Sequence, residues 1–333
     1  MRCDVVRCGH ADLFVLSIRA AQRESLIRSY GSLKLMAPKV SCIIIVYNGE
    51  EFLAEAIASV LTQSLVDWEL LIVDDGSTDT SYQIAQRFAQ TSPGKIRSLR
   101  HADGQNHGMS ATRNLGLSHG SGEYIAFLDA DDVWLPNKLA SQVAILDAQP
   151  SVGATYGRAL IWYSWAGENA IETDFFYELG VRPDQVYHPP TLLLSQLLNV
   201  YQSPTSTGCL LRRTLVNEVG GFEPAFKGMF EDAAFFAKAL LIAPFFVSAE
   251  VLFKYRQHSS SAGAVSAATN RDAWARFRFL TWFKGYLRDR ISDPRIVKLV
   301  RSLIRKQLRF LASQTLKAIF GKQKANLRRL MPS

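Results

Sequence analysis

The sequence predicts an α/β protein, a doubly wound, mainly parallel sheet followed by a helical C-terminal appendage. Three observations carry this. Near-continuous apolar runs of strand length recur at VSCIIIV (40–46), WELLIVDD (68–75) and EYIAFLDADD (123–132). Segments with apolar residues at helical spacing separate them. The runs also end in polar residues: Tyr47-Asn48, Asp74-Asp75-Gly76 and Asp129-Ala130-Asp131-Asp132. A run that is apolar at successive positions belongs to a strand covered on both faces. Strand–helix alternation winds such strands in parallel through right-handed crossovers.

The elements follow in order. After the first strand, residues 49–63 carry apolar side chains at 53, 57, 60 and 61, a helical spacing. The second strand leads into the helical SYQIAQRFAQ, and KIRSLRH (95–101) reads as a third, weaker strand. A helix from Ser110 to His119 ends at Gly120 before the fourth strand. Pro136, whose missing N–H is harmless in a first turn, opens a helix running to Asp147.

A chain of 333 residues with 48% hydrophobic content can bury a large core. No apolar run approaches the roughly 20 residues of a membrane-spanning helix, which excludes a polytopic membrane protein. Four scattered cysteines, without metal-ligand spacing, suit a reducing compartment, so the expected location is cytoplasmic. Residues 1–37 are an N-terminal extension expected to be poorly ordered, either a translation-start extension with Met36 as the native start or a genuine arm. Residues 38–265 form the expected catalytic domain and 266–333 a basic helical region. The last 63 residues hold 17 Lys and Arg against 3 Asp, while the other 270 hold 21 basic and 27 acidic side chains. The basic character therefore belongs to the tail.

In doubly wound sheets, ligands bind beyond the carboxyl ends of the strands. Asp129 and Asp131 offer hard oxygen ligands at i and i+2, suited to Mg²⁺ or Mn²⁺ shared with phosphate oxygens. The plainer alternative is an acidic turn in which Asp132 caps the following helix. At the second strand end, a carboxylate of Asp74 or Asp75 can accept the imide N–H of a uracil or thymine ring, with Tyr47 offering a face to the base. Arg113, in the first turns of a helix opened by small residues, has the reach to contact a diphosphate or the base.

The blocks PKVSCIIIVYN (38–48), ELLIVDDGSTD (69–79), GMSATRNLGL (108–117) and EYIAFLDADDVWLPNKL (123–139) resemble, in order and spacing, those of family 2 glycosyltransferases. These are inverting enzymes with a GT-A nucleotide-diphospho-sugar-binding fold. The resemblance runs on through SPTSTGCLLRRTLVNEVGGF (203–222) and FKGMFEDAAFFAKAL (226–240). It implies Asp232 as the catalytic base, with Glu231 beside it. Tyr47, Asp75, Arg113 and Asp129 are implied to bind the nucleotide, and Asp131 with Asp129 a metal, Mn²⁺ or Mg²⁺. YRQHSSS (255–261) looks like the later block, which puts Arg256 and His258 near the acceptor or diphosphate. The implied reaction is metal-dependent transfer from a nucleotide-sugar, a UDP-sugar favoured, to a hydroxyl of a glycan or lipid-linked acceptor in cell-surface polysaccharide or glycoconjugate synthesis. Two alternatives stand beside it. Asp129-Ala130-Asp131-Asp132-Val133 also fits the opening of haloacid-dehalogenase-like phosphatases, and a degenerate relative would bind nucleotide-sugar without turnover.

Between Pro294 and Gly321, Ile296, Val300, Leu303, Ile304, Leu308 and Leu311 recur at helical spacing among lysines and arginines. Such a helix can lie on an anionic membrane through residues 294–320, at the inner face of the cell membrane. It can equally pack its stripe on the catalytic domain. No nucleic-acid-binding module accompanies the basic face, so nucleic acid is not an expected partner.

Overall fold

The computed structural model describes residues 37–170, 172–261, 264–265, 271–288, 290 and 293–330. The extension expected over residues 1–36, its candidate start at Met36, and the expected beginning of the tail at 266 lie outside the described residues. Pro38–Ser333 is one compact unit.

The first half runs β1 (Val40–Val46), α1 (Leu53–Leu61), β2 (Trp68–Asp74), α2 (Ser81–Thr91), β3 (Ile96–Arg100), α3 (Met109–His119) and β4 (Tyr124–Asp129). It continues with β5 (Val133–Trp134), α4 (Lys138–Ala148), β6 (Ala154–Trp162), β7 (Phe175–Phe176), β8 (Gln185–Tyr187), α5 (Thr191–Leu198) and β9 (Leu210–Arg212). The last elements are α6 (Arg213–Val219), α7 (Glu231–Ile242), β10 (Phe245–Arg256), α8 (Arg271–Leu287) and α9 (Pro294–Leu330). Every element expected up to residue 147 is present. The helix after Pro136 starts two residues later than expected, at Lys138.

The main sheet order is β3-β2-β1-β4-β9-β6-β10-β5, with β7 on β6 and β8 on β10. The β3-β2-β1-β4 half is parallel. β9 then pairs antiparallel with both β4 and β6, and β6 pairs parallel with β10. The sheet is thus doubly wound in its first half and mixed beyond β4.

All seven residues of β1 and of β2 are buried, because alternate side chains serve opposite faces. Ile43, Ile45, Leu71 and Val73 pack with α5, α6, α7 and the C-terminal helices. Cys42, Ile44, Leu70 and Ile72 pack with α1 and α4. α3 lies tight on β1 at Gly116, where a Cβ would meet Ile43 Cγ2 at 2.5 Å. The tail helices are not bystanders. Phe279, Leu280, Phe283, Leu287, Ile296 and Val300 join the same cluster as Phe226, Phe235 and Phe236. The stripe of α9 therefore packs on the protein through Ile296, Val300, Leu303 and Ile304, and Leu311 is buried too, while Leu308 remains exposed. No helix among the described residues is long and apolar enough to cross a membrane.

Lys138 is 1% exposed, its Nζ donating to Gln142 Oε1 at 2.7 Å and lying 4.4 Å from the Trp134 ring. Burial lowers its pKa to about 7. Above that pH the unfolded chain holds a proton that the folded chain has shed, so stability rises with pH until the ordinary lysine range. Lys138→Met is expected to flatten this slope, which has a ceiling of about 1.4 kcal/mol per pH unit. Urea titrations at several pH values between 7 and 10 check it.

Candidate active site

The site is assembled at the carboxyl ends of β1, β2 and β4. Tyr47, just past β1, is 53% exposed and presents its ring to solvent. Asp75, just past β2, is buried. Its Oδ1 accepts the backbone N–H of His107 at 2.8 Å and its Oδ2 that of Gly108 at 2.9 Å. The carboxylate thus fastens the 101–108 loop to the strand end, a use that the strand-end motif alone did not reveal. Gly108 has φ +89°, and a Cβ there would meet Lys227 O at 2.5 Å. Only glycine lets the loop turn so close to the 226–230 segment. Met109 N–H and Ser110 Oγ then donate to Lys227 O and Phe226 O at 3.0 and 2.6 Å. The start of α3 is in this way bonded to the segment that leads into α7.

Arg113, one turn further along α3, is 1% exposed. Its Nη2 donates to Asp129 Oδ1 at 2.7 Å and its Nη1 to Glu231 Oε1 at 3.0 Å. Burial works against its charge, but the carboxylates of Asp129, Glu231 and Asp232 outweigh it and hold the guanidinium protonated. Arg113, which the resemblance implies for nucleotide binding, thus joins carboxylates from two distant segments through both terminal nitrogens. The exposed helical arginine of the plain reading is excluded.

Glu231 and Asp232 occupy the first turn of α7. The helix N-terminus favours both anions. Burial opposes this: it raises the Glu231 pKa to about 7, aided by the Asp232 charge and countered by Arg113. Asp232 is likewise raised by burial and lowered in part by Arg113. Phe230, directly before them, has left-handed backbone (φ +68°). Its ring stacks on Phe279 of α8, with centroids 5.5 Å apart.

The β4 end forms the third part. His258 Nε2 lies 3.1 Å from Asp131 Oδ2. A carboxylate only accepts, so this nitrogen carries the proton. Asp132 is buried; its Oδ1 accepts the Arg256 backbone N–H at 3.1 Å, and its Oδ2 has no hydrogen-bond partner among the described residues. Burial raises its pKa well above the carboxylate range, reinforced by Asp131 and Asp129. Asp132 therefore does not cap the next helix. Arg256, expected by the acceptor or diphosphate, is 4% exposed. Its Nε donates to Asp131 O at 2.8 Å, its Nη2 pairs with Glu55, and its guanidinium stacks between the rings of Phe52, Trp162 and Trp165. It clamps the acidic loop from behind.

Asp129, Asp132 and Asp232 line one cavity of about 350 Å³, with Thr207, Tyr177 and Tyr255 among its walls. Tyr47, Asp75, Arg113, Asp131, Glu231, Arg256 and His258 do not line it. Asp131 pairs with His258, and Asp75 with the backbone amides of His107 and Gly108. Sequence reasoning missed Thr207, Tyr177 and Tyr255. Thr207 lay within the recognised 203–222 block, but no spacing distinguished it.

Among the described residues no three His, Cys, Asp or Glu side chains form a metal cage. The donor set is instead two strand-end carboxylates, with side chains 36% and 32% exposed at Asp129 and Asp131. Asp132, in the same turn, has a carboxylate oxygen without a hydrogen-bond partner. Mg²⁺-like ions use one or two carboxylates and complete their shell with phosphate oxygens, so these residues fit a cation shared with a ligand.

The sequence model of the family described as Glycosyl transferase family 2 matches residues 41–220. The uncharacterised glycosyltransferase alr2836 of Nostoc sp. is 29% identical over 71% of this chain and 70% of its own. WfgD of Escherichia coli, a UDP-Glc:alpha-D-GlcNAc-diphosphoundecaprenol beta-1,3-glucosyltransferase, is 32% identical over 54% of this chain and 62% of its own. Among solved structures, TarS 1–349 of S. aureus in complex with UDP-GlcNAc superposes with a TM-score of 0.59 at 19% identity, covering 81% of this chain and 71% of that one. The mannosyltransferase PcManGT of Pyrobaculum calidifontis, with GDP-Man and Mn²⁺, gives 0.56 at 18%, covering 87% and 80%. The fold is thus that of GT-A glycosyltransferases, and the phosphatase alternative falls. A match over more than half of the chain, including the strand ends that bear Asp129 and Asp132, makes the chain a member of glycosyl transferase family 2 and a glycosyltransferase.

Proposed function

We propose that the protein transfers a sugar, with inversion, from a UDP-sugar to a hydroxyl of a glycan or lipid-linked acceptor in cell-surface glycan synthesis. The observation that carries this is the sharing of one cavity by Asp129 and Asp232, residues from distant segments joined through Arg113. Tyr47 offers its exposed ring to the base, and Asp75 keeps lone pairs beyond the two amides it accepts. Asp129 and Asp131 would hold a divalent cation, Mn²⁺ or Mg²⁺, which when bound supplies positive charge to the diphosphate as it departs. Asp232 takes the proton of the attacking hydroxyl on the side away from the diphosphate. A single displacement with the base opposite the leaving group inverts the anomeric carbon. The nucleotide choice draws support from TarS with UDP-GlcNAc and from the donor in the WfgD name; the metal draws it from PcManGT with Mn²⁺.

UDP release from UDP-sugars in the presence of acceptor, with the product linkage read by NMR, tests the reaction. A chain that binds UDP but releases none from any donor would be a non-catalytic relative. Asp131→Ala is expected to weaken UDP binding by roughly tenfold in Mn²⁺ and little in EDTA, as one charge-assisted contact is lost. Calorimetry with and without metal reads the difference, and equal affinity in Mn²⁺ would remove Asp131 as a ligand.

The reading extends to a cytoplasmic enzyme at the inner face of the cell membrane, held by charge. The apolar stripe of α9 is used in packing, but Lys298, Arg301, Arg305, Lys306 and Arg309 stand exposed. Flotation with anionic liposomes should be strong at low ionic strength and largely lost near 1 M salt, where screening acts over about 3 Å. Replacing the five residues by Gln should abolish it without opening the core; flotation that survives the replacement would defeat the electrostatic contact.

A further inference from the structure

Asp232 faces a second cavity. Its volume is about 260 Å³, and it shares Asn199, Ser203, Thr205 and Asp232 with the first. Asp129 and Asp132 line only the first; Arg276 and Phe279 of α8 line only the second. The base therefore stands where a chamber with the strand-end carboxylates meets a chamber without them. A diphosphate accompanied by a cation belongs with those carboxylates. The hydroxyl that gives its proton to Asp232 must approach from elsewhere, and the second chamber is the space open to it.

Arg276 gives that chamber its chemistry. It is partly buried, and its Nη2 donates to Leu197 O at 3.1 Å, which leaves most of its five N–H donors uncommitted. No carboxylate lies within ion-pair distance of it among the described residues. Asp272, on the same wall, is exposed and forms no such pair. Burial lowers the Arg276 pKa, opposed by Asp272 at longer range. A partly desolvated guanidinium with no carboxylate in ion-pair contact, fixed by one carbonyl beside a cavity, is built to receive an oxyanion. The other walls, Met229, Phe230 and Phe279, offer apolar faces of the kind that pack on a sugar ring or an alkyl chain.

We propose that this second cavity holds the acceptor, and that Arg276 is a specificity-determining residue that binds an oxyanion carried by the acceptor next to its reacting sugar. The anion is a phosphate or diphosphate joining the sugar to a carrier, or the carboxylate of an acidic sugar. The inference rests on the transferase reading above and assigns to α8 a direct share in substrate choice.

The test uses the full chain saturated with UDP and three probes: a decyl-diphosphate-linked N-acetylglucosamine, decyl N-acetylglucosaminide and decyl glucuronide. Calorimetry should show the wild type binding one charged probe at least about tenfold more tightly than the neutral one, the gain expected of a charge-assisted bidentate contact. The tighter charged probe identifies which anion is recognised. Arg276→Gln should abolish the preference while leaving UDP affinity and neutral-probe affinity unchanged. Arg276→Lys, which keeps charge and stem but loses the fork, should retain only part of it and serves if the Gln variant is unstable. A wild type that binds charged and neutral probes alike, or a preference that survives both substitutions, overturns the proposal. Absence of UDP-sugar turnover in the wild type would instead strike the transferase reading, since the binding comparison does not depend on turnover.

Discussion

Asp232→Asn is expected to lower kcat/KM for transfer by roughly 10²–10⁴-fold, the usual contribution of a positioned general base, with UDP affinity unchanged. The substitution keeps the shape of the side chain and its hydrogen bond with the Ala233 N–H, which at 2.6 Å caps the first turn from within, so the helix start is preserved. What it removes is the capacity to accept a proton. Burial raises the Asp232 pKa, so the wild-type rate should fall on acidification at a higher pH than an ordinary aspartate would give. The sign follows from the base being active only when ionised: protonation removes activity as pH drops through the raised pKa. A pH–rate profile at saturating donor reads the limb, and near-normal transfer by the Asn variant would remove Asp232 from this role.

Arg113→Met is the second large effect. Its guanidinium is the shared partner of Asp129 and Glu231, and Glu231 is 6% exposed. Removing one member of a buried ion pair leaves uncompensated charge and is destabilising by about 3–5 kcal/mol. Glu231 then relieves part of that loss by taking up a proton, so its pKa should rise further above about 7. The variant should unfold at markedly lower urea concentration. What folded protein remains should lose transfer, because the strand-end carboxylate and the α7 start are no longer tied together. Arg113→Lys should restore little, since a single ammonium lacks the fork that spans two carboxylates. An Arg113→Met protein of wild-type stability would refute the bridging account.

The parallel half of the sheet was legible because its strands are covered on both faces and so read as unbroken apolar runs; β1, β2 and β4 lie within VSCIIIV, WELLIVDD and EYIAFLDADD, the last ending three residues earlier than expected. The mixed half was not. β5 and β7 are two residues long and β9 three, too short to carry a period. The acidic strand ends were visible as candidates, and Asp129 and Asp232 do meet at one cavity. Their partners were hidden by distance along the chain. Arg113 reaches Glu231 across 118 positions and Arg256 reaches Glu55 across 201, and no local pattern announces such a bond. Arginines near an expected diphosphate invited a ligand-binding reading, and the bonds that both make to protein carboxylates lay outside it. A general rule about strand ends locates a site but does not say which of its charges face inward to the scaffold.

The stack of Phe230 on Phe279 has a bearing on how this enzyme can be re-engineered. Phe230 sets the direction in which the first turn of α7 departs, and it does so from a backbone conformation that bulky residues enter only when neighbours compel them. The compelling neighbour belongs to the C-terminal helices. Grafting those helices from a sister protein would therefore also re-aim the first turn of α7 unless the donor sequence brings a ring of equal size to the same spot. The appendage behaves less like an interchangeable handle than like the last wedge of an arch.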